Sequence, residues 1–215
     1  MSTVTLVHNR IHLALHCLRD GSERPLLLLH GLGEQSPSAA PDWTAQWPGP
    51  VYALDFTGHG HSTVPIGGGY SAELLLGDAD AALSHLGEAT VVGRGLGAYI
   101  ALMLAGAQPA SVHGTVLCDG PGLSGGAIVP TSTSFVNIAS PYSAPDPYAL
   151  VDLSRDPRPP DYSVLFTRLA LDHSPMAEPI SVATIVRPAW LAAVANEVGV
   201  VERSLAASLV AYARD

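Results

Sequence analysis

The chain has 215 residues, of which 47% are hydrophobic and 13% are charged. This length and apolar content predict a single domain with a sizeable core. Acidic residues outnumber basic ones by 19 to 10, and the net charge is −9. Nucleic acids and anionic membrane surfaces attract clustered basic residues, so we expect neither class of partner.

No membrane-spanning or secretory segment is predicted. The longest apolar runs, residues 25–29 and 98–107, are too short to cross a bilayer, and the N-terminus has no basic stretch followed by an apolar core. Cys17 and Cys118 lie far apart in the sequence, which favours two buried thiols over a disulfide and fits a reducing compartment. We therefore expect a cytoplasmic protein.

Residues 3–18 are predicted to form an opening pair of strands. His8, His12 and His16 recur every four residues, a spacing that in a helix would suggest metal ligands. Apolar and polar residues alternate over 11–16, however, and that period of two favours a strand. We expect the histidines on the more solvated face of this strand and predict no metal site from them.

Short apolar runs that end in glycine-rich loops predict the buried strands of a parallel sheet. These runs are residues 25–29, 51–54, 91–92 and 114–118. Helices are predicted over 72–86, which has an apolar face, and over 98–107. The alternation of apolar strands with helices predicts an α/β fold, with a mostly parallel central sheet covered by helices on both faces.

The composition changes after residue 123. Residues 123–147 are rich in Gly, Pro, Ser and Thr and are predicted to be a loop. Residues 148–153 and 162–171 follow prolines that suit helix starts, so they predict two short helices. We expect a short cap inserted over about 123–178 in one domain that spans 1–215.

The end of the chain predicts a reduced last unit of the fold. A strand is predicted over 180–186 and a final helix over 200–213. The interval between them is too short for a full helical crossover between parallel strands. The strand also ends without a carboxylate, and no histidine follows His173.

The loops at the strand ends carry a set of motifs. These are His30-Gly31-Leu32-Gly33, Asp55-x-x-Gly58-x-Gly60-x-Ser62, Gly93-x-Gly95-x-Gly97 and Val116-Leu117-Cys118-Asp119-Gly120-Pro121. In this order, and each at the end of a predicted strand, they resemble the loops of the α/β-hydrolase superfamily. The resemblance extends from about residue 25 to 123 and implies a compact α/β-hydrolase fold with a trimmed C-terminal part.

The resemblance also indicates what this chain lacks. The family carries its nucleophile at the centre of a Gly-x-Ser-x-Gly elbow, but that position is Gly95, which has no side chain. The C-terminal histidine of the family is missing as well. The ordinary Ser-His-Asp mechanism is therefore not expected.

Two backbone N–H groups match the oxyanion hole of the family, those of Leu32 and Leu96. Because backbone geometry supplies these donors, loss of the serine does not remove them. Gly31 and Arg94 complete the predicted oxyanion and ligand-binding set. Arg94 is expected to bind a carboxylate ligand, to pair with Asp119, or to face solvent.

Two side chains are candidates for acid–base catalysis, His30 and Asp119. Each has a structural alternative, since His30 could bridge loops and Asp119 could accept backbone hydrogen bonds. Strand alternation should point Cys118 away from the side that Asp119 faces. Asp172 and His173 are neighbours on a predicted helix and should point apart, which argues against a catalytic pair.

Three functions stay open. The first is a non-catalytic relative that binds a small carbonyl or carboxylate ligand, or a protein partner. The second is an enzyme with rerouted acid–base or water-activating chemistry at the oxyanion donors. The third is a structural or oligomerising domain with Trp43, Trp47 and Trp190 as surface anchors. No cofactor and no metal ion is predicted, and homo-oligomerisation is left open.

Overall fold

The computed structural model describes residues 2–123, 144–155 and 157–214. Its strands are β1 (Ser2–His8), β2 (Ile11–Arg19), β3 (Leu26–Leu29), β4 (Val51–Leu54), β5 (Ala89–Arg94), β6 (Val112–Cys118), β7 (Ile180–Ala183) and β8 (Val201–Glu202). They form an eight-stranded sheet in the order β1-β2-β4-β3-β5-β6-β7-β8. β2 is antiparallel to β1 and β4, and the remaining pairs are parallel.

Helices cover both faces of this sheet, which confirms the predicted α/β class. They are α1 (Ala72–Leu86), α2 (Leu96–Ala107), α3 (Pro147–Asp152), α4 (Asp161–His173), α5 (Ala189–Ala195) and α6 (Leu205–Tyr212). α1, α2, α4 and α5 pack together on one face, while α6 covers part of the other. In the part of the chain that the structure describes, no helix is both long and apolar enough to cross a membrane.

β3 explains why an unbroken apolar run indicates a central strand. Its four leucines are all buried, and successive side chains point to opposite faces of the sheet. Leu27 and Leu29 pack against the helices of the first face, whereas Leu26 and Leu28 pack on the face that α6 covers. A strand covered on both faces has no position for a polar side chain.

The loop that joins β3 to β4 differs from the usual connection between parallel strands. Residues 30–50 contain one short 3-10 helix, Asp42–Thr44, where a longer crossover helix is common. Trp47 fills part of the space that such a helix would cover. Its indole Nε1 donates a hydrogen bond of 2.9 Å to the backbone oxygen of Arg24.

The elbow strand and the helix after it approach each other at backbone distance. A Cβ atom on Gly93 would lie 2.1 Å from the carbonyl oxygen of Gly97, and one on Gly97 would lie 2.3 Å from that of Leu29. The outer two glycines of the motif therefore permit close packing of α2 on β3 and β5. α2 is buried along almost its whole length.

The C-terminal part is reduced, and two predicted boundaries there are wrong. The strand β7 ends at Ala183, not at residue 186. The final helix begins at Leu205, not at residue 200, because Val201 and Glu202 pair with β7 as the short parallel strand β8. The Ser204 hydroxyl then accepts a hydrogen bond from the Ala207 N–H and caps the helix. α5 supplies a crossover of only seven residues between β7 and β8.

The segment predicted as a cap contains a helix of the main helical layer. α4 packs on α2 and α5 and connects β6 to β7. Most of the predicted loop at 123–147 lies outside the described residues. The described part of it includes Asp146, whose carboxylate accepts a 2.6 Å hydrogen bond from the Tyr70 hydroxyl and ties the start of α3 to the body of the domain.

Two of the three tryptophans predicted as surface anchors are buried. They are Trp47 and Trp190, and the Trp190 ring packs edge-on against Tyr99. Trp43 is 41% exposed, as predicted.

One predicted surface histidine is also buried. His16 does not lie on a solvated face, because hydrogen bonds to Thr3 and Asp55 hold it in the interior, whereas His12 is exposed as predicted.

Candidate functional site

The elbow keeps the backbone conformation of a strained turn. β5 ends at Arg94, Gly95 has φ 55° and ψ −115°, and α2 begins at the next residue. A side chain is strained in this region of φ/ψ space, and such strain is typical of functional positions. Gly95 therefore occupies the turn that would present a nucleophile, but it presents only main chain.

The two predicted oxyanion donors share one acceptor, which the chain itself supplies. The Leu32 N–H donates to the carbonyl oxygen of Pro121 at 3.0 Å, and the Leu96 N–H donates to the same oxygen at 2.9 Å. These distances match those of donors to an oxyanion in a working site. The Pro121 carbonyl thus occupies the position that the predicted oxyanion hole would offer to a substrate carbonyl.

The same loop also fills the space in front of the elbow. A Cβ atom at Gly95 would lie 2.3 Å from the Pro121 oxygen and 2.4 Å from the carbonyl carbon of Gly120. A Cβ atom at Gly31 would lie 2.6 Å from the Pro121 ring. We call this cluster of residues 31–33, 95–96 and 119–123 the Gly95 crevice. Its loops touch through backbone and leave no room for a side chain at the elbow.

Little open volume remains in the Gly95 crevice. The cavity beside Gly95 has a volume of about 10 Å³ and is bordered by Asp119, Val186 and Trp190. A single water molecule needs a cavity of about this size. A substrate acyl group could enter only if residues 119–123 moved.

His30 is held as a neutral, structural histidine. Its Nε2 accepts a hydrogen bond from the Phe56 N–H at 3.2 Å, which leaves the proton on Nδ1, and Nδ1 donates to the Gly31 oxygen at 2.8 Å. Burial lowers the pKa of the imidazole below its ordinary value. Both nitrogens are therefore engaged, as the bridging alternative predicts.

Asp119 and Arg94 do not pair with each other. The Asp119 carboxylate accepts hydrogen bonds from the Ile185 N–H at 2.7 Å and the Val186 N–H at 3.0 Å. Arg94 instead donates through Nε to the Glu34 carboxylate at 2.9 Å. Asp119 thus fastens the residue 119–123 loop to the segment after β7, and Arg94 lies at the surface.

The remaining candidates are a partly buried thiol and two exposed side chains. Burial, with a smaller contribution from Asp119, raises the pKa of the Cys118 thiol to about 12, so it is protonated at neutral pH. Asp172 and His173 are both exposed near the end of α4. The structure brings together the backbone of Gly31, Leu32 and Leu96, but assembles no catalytic side chains around them among the described residues.

Residues 26–214 match the model of the Alpha/beta hydrolase family. The chain belongs to the α/β-hydrolase family. No curated protein sequence matches it significantly.

Solved structures of several hydrolases resemble part of the chain. A probable hydrolytic enzyme from Pseudomonas aeruginosa PAO1 is 25% identical over 54% of this chain and 40% of that chain, with a TM-score of 0.47. Epoxide hydrolase A from Mycobacterium thermoresistibile is 24% identical over 56% and 39%, with a TM-score of 0.46. An epoxide hydrolase from Vigna radiata is 22% identical over 56% and 40%, with a TM-score of 0.44. The chain thus spans about two fifths of each of these solved chains.

Pro121 is the residue that sequence reasoning missed in this hydrolase-family site. The glycines on either side of it are a signal for close backbone packing, because Cβ atoms there would clash. One at Gly120 would lie 2.6 Å from the Arg94 side chain, and one at Gly122 would lie 2.8 Å from that of Leu32. Which way the Pro121 carbonyl points, however, depends on the packed loop and not on its composition.

A larger cavity lies on the sheet face that α6 partly covers. It has a volume of about 190 Å³, and its apolar wall includes Leu28, Val92 and Trp43. Arg94 and Glu34 also line it. This cavity lies under the residue 30–50 loop, where a crossover helix would fill the space in many parallel sheets.

Proposed function

We propose that this chain is a non-catalytic member of the α/β-hydrolase family that binds a small apolar carboxylate. The observation that carries the non-catalytic half is the pair of hydrogen bonds from Leu32 and Leu96 to the Pro121 oxygen. An acyl-transfer transition state needs those donors for its own oxygen, and a covalent route needs a nucleophile that Gly95 lacks. Neither esters nor the epoxides that its relatives' names suggest are therefore proposed as its substrates.

Rerouted acid–base chemistry has weaker support. His30 uses both ring nitrogens and Asp119 both carboxylate oxygens in hydrogen bonds to the backbone. A general base must instead reach the proton that it removes. The oligomerising alternative also loses support, because only Trp43 of the three predicted anchor tryptophans is exposed.

The cavity of about 190 Å³ is the proposed ligand site. An engineered protein cavity of about 150 Å³ holds benzene, so this one suits an apolar group of roughly six to eight carbons. Arg94 donates to Glu34 through Nε alone, and its two terminal nitrogens make no hydrogen bond to other described residues. Those nitrogens offer a carboxylate a two-pronged partner at the edge of the cavity.

Catalysis is tested with a fluorophosphonate probe and panels of p-nitrophenyl esters and epoxides. We expect no covalent label and no turnover by the purified protein, and the same result for His30→Gln and Asp119→Asn. Turnover that disappears in either variant would support the rerouted enzyme and contradict the proposal.

Ligand binding is tested by calorimetry with hexanoate and octanoate, and with hexanol and octanol as uncharged controls. We expect the carboxylates to bind more tightly than the alcohols, and Arg94→Gln to weaken carboxylate binding at least tenfold. Arg168→Gln is the matched control, because Arg168 is also an exposed arginine paired with a glutamate. Equal carboxylate binding by wild type and Arg94→Gln would overturn this part of the proposal.

A further inference from the structure

Two histidines and an aspartate converge at a second place in the molecule. His16 lies on β2 opposite Ala53 of β4, and Asp55 follows β4 directly. The chain then turns back through loop 55–62, which places His61 beside the Asp55 carboxylate. We call His16, Asp55 and His61 the histidine–aspartate cluster. It shares no residue with the Gly95 crevice or with the lining of the cavity of about 190 Å³.

We propose that the histidine–aspartate cluster is a binding site for a divalent transition-metal ion, with zinc as the best-fitting ion. The ligand atoms are His16 Nε2, His61 Nδ1 and Asp55 Oδ2, all within 4.8 Å of one another. His16 Nε2 lies 3.0 Å and His61 Nδ1 lies 3.2 Å from Asp55 Oδ2. Zinc bonds of about 2.0–2.2 Å in tetrahedral geometry separate neighbouring ligand atoms by roughly 3–3.5 Å.

The hydrogen-bond inventory around Asp55 Oδ2 also favours an ion. This oxygen accepts a hydrogen bond of 2.8 Å from the His61 backbone N–H and faces one imidazole nitrogen of each histidine. A ring nitrogen that faces a carboxylate oxygen either donates a proton to it or shares a cation with it. A cation that takes one lone pair of Oδ2 and the lone pairs of two neutral imidazoles would satisfy all three atoms.

Surrounding groups orient the ligands as metal sites require. Thr3 Oγ1 lies 2.9 Å from His16 Nδ1 and can accept its proton, which leaves Nε2 free to bind a metal. The Ser36 N–H donates to Asp55 Oδ1 at 2.7 Å. The His61 backbone N–H donates to the other oxygen, Oδ2, at 2.8 Å. These two backbone donors fix the carboxylate in place.

Exposure indicates an open site. His16 and Asp55 are buried, whereas the His61 side chain is 73% exposed. Three protein ligands with a solvent-facing side leave at least one position for water or a small anion, as in the open type of zinc site. Two imidazoles and one carboxylate also suit cobalt and nickel, which makes Co²⁺ a usable spectroscopic probe.

The test uses the full chain, freed of any affinity tag and of metal by dialysis against a chelator. Co²⁺ is titrated and its visible absorption recorded, after which Zn²⁺ is added. We expect one equivalent of Co²⁺ to bind with the intense absorption of a low-coordinate site and to be displaced by Zn²⁺. Zn²⁺ should also raise the melting temperature of the protein.

The variant that decides the proposal is His61→Ala, because this exposed side chain can be removed without disturbing the core. We expect metal affinity to fall at least tenfold and the Zn²⁺-dependent rise in melting temperature to disappear. His12→Ala is the control, since His12 is an exposed histidine on β2 outside the cluster. If wild type binds no stoichiometric metal, or if His61→Ala binds it as tightly as wild type, the cluster is a hydrogen-bonded network only and the proposal is wrong.

Discussion

The Gly95 crevice and the histidine–aspartate cluster both lie at strand ends, but they are built from different groups: the first from backbone atoms and the second from side chains. In the crevice, backbone donors meet a backbone acceptor, and the N–H groups of Leu32 and Leu96 are satisfied by Pro121. In the cluster, side chains meet one another, and the His61 ring projects into solvent. A site built from main chain can be closed by another loop of the same chain. A site built from side chains stays open while one of them faces water.

Glycine makes the closure possible. The crevice brings Gly31, Gly95, Gly120 and Gly122 together, and a Cβ atom on any of them would meet another atom of the crevice at less than 3.0 Å. A side chain at position 95 would need the volume that residues 120 and 121 fill in this chain. An elbow without a side chain and a closed crevice are therefore parts of one arrangement.

The largest predicted effect follows from placing a serine at the elbow. Gly95→Ser places a Cβ atom 2.3 Å from the Pro121 oxygen in a conformation with φ 55°. We expect the free energy of unfolding to fall by about 3 kcal/mol or more, since strain and overpacking each cost about 1–3 kcal/mol. Urea denaturation measures the loss.

The control for that variant is Gly87→Ser. Gly87 has φ 82°, but a Cβ atom there would meet nothing within 4 Å. It should cost only the backbone term, about 1 kcal/mol. If Gly95→Ser is no less stable than Gly87→Ser, or if a fluorophosphonate phosphonylates its serine, the crevice is not closed by residues 120–121.

A second prediction concerns the link between the two regions. His59 belongs to the loop of the cluster, and its Nε2 accepts a hydrogen bond from Gly33 of the crevice at 3.2 Å. Burial, with repulsion from His30, lowers the pKa of His59 from 6.5 to about 4. Between pH 6.5 and about pH 4, His59 is protonated in the unfolded chain but neutral in the folded one. The free energy of unfolding should therefore fall as pH falls through this window, by roughly 3 kcal/mol.

Chemical denaturation at pH 7, 5.5 and 4.5 tests this pH dependence. In His59→Gln the slope of stability against pH should be clearly flatter, because the titrating group is gone, while contributions from other acids and histidines remain. Identical slopes for wild type and variant would mean that His59 is not held neutral in the folded state.

A smaller effect is expected from loosening the loop that closes the crevice. Asp119→Ala removes the acceptor of the Ile185 and Val186 N–H groups, which lie near the surface. We expect a loss of about 1 kcal/mol in stability and faster hydrogen exchange at Leu32 and Leu96. Asp172→Ala, on an exposed face of α4, should change neither quantity.

The smallest predicted effect concerns the surface ion pair beside the crevice. Glu34→Gln removes a charge paired with the half-exposed Arg94. We expect less than about 1 kcal/mol of change in unfolding free energy, because exposed ion pairs contribute little. Carboxylate binding should tighten, since a competing carboxylate is lost. A large loss of stability would show that crevice closure depends on this pair.

The sequence contained most of the fold in local form. β4 and α1 have the predicted bounds. An apolar run defines β4, and the Ser71 cap and the Gly87 turn define the two ends of α1. The boundary of α6 was wrong because β8 is stabilised by pairing with β7, a non-local contact that helical periodicity cannot reveal.

The sites were less predictable than the fold for a similar reason. Leu32, Leu96 and Gly95 could be located from motif spacing. Pro121, which accepts the N–H groups of Leu32 and Leu96, lies more than 20 residues further along the chain. His16 was predicted to be a surface histidine. Strand alternation shows on which face of the sheet a side chain lies, but it does not show which other residues cover that face. Its partner Asp55 is brought to it by the pairing of β2 with β4.

The most direct test of the closed crevice is the through-hydrogen-bond scalar coupling in the wild-type protein, measured by NMR between the amide nitrogens of Leu32 and Leu96 and the carbonyl carbon of Pro121. We predict that both couplings are detected and that both amide protons exchange slowly with solvent. Absence of both couplings, together with exchange at the rate of solvent-exposed amides, would show an open oxyanion hole and contradict the account.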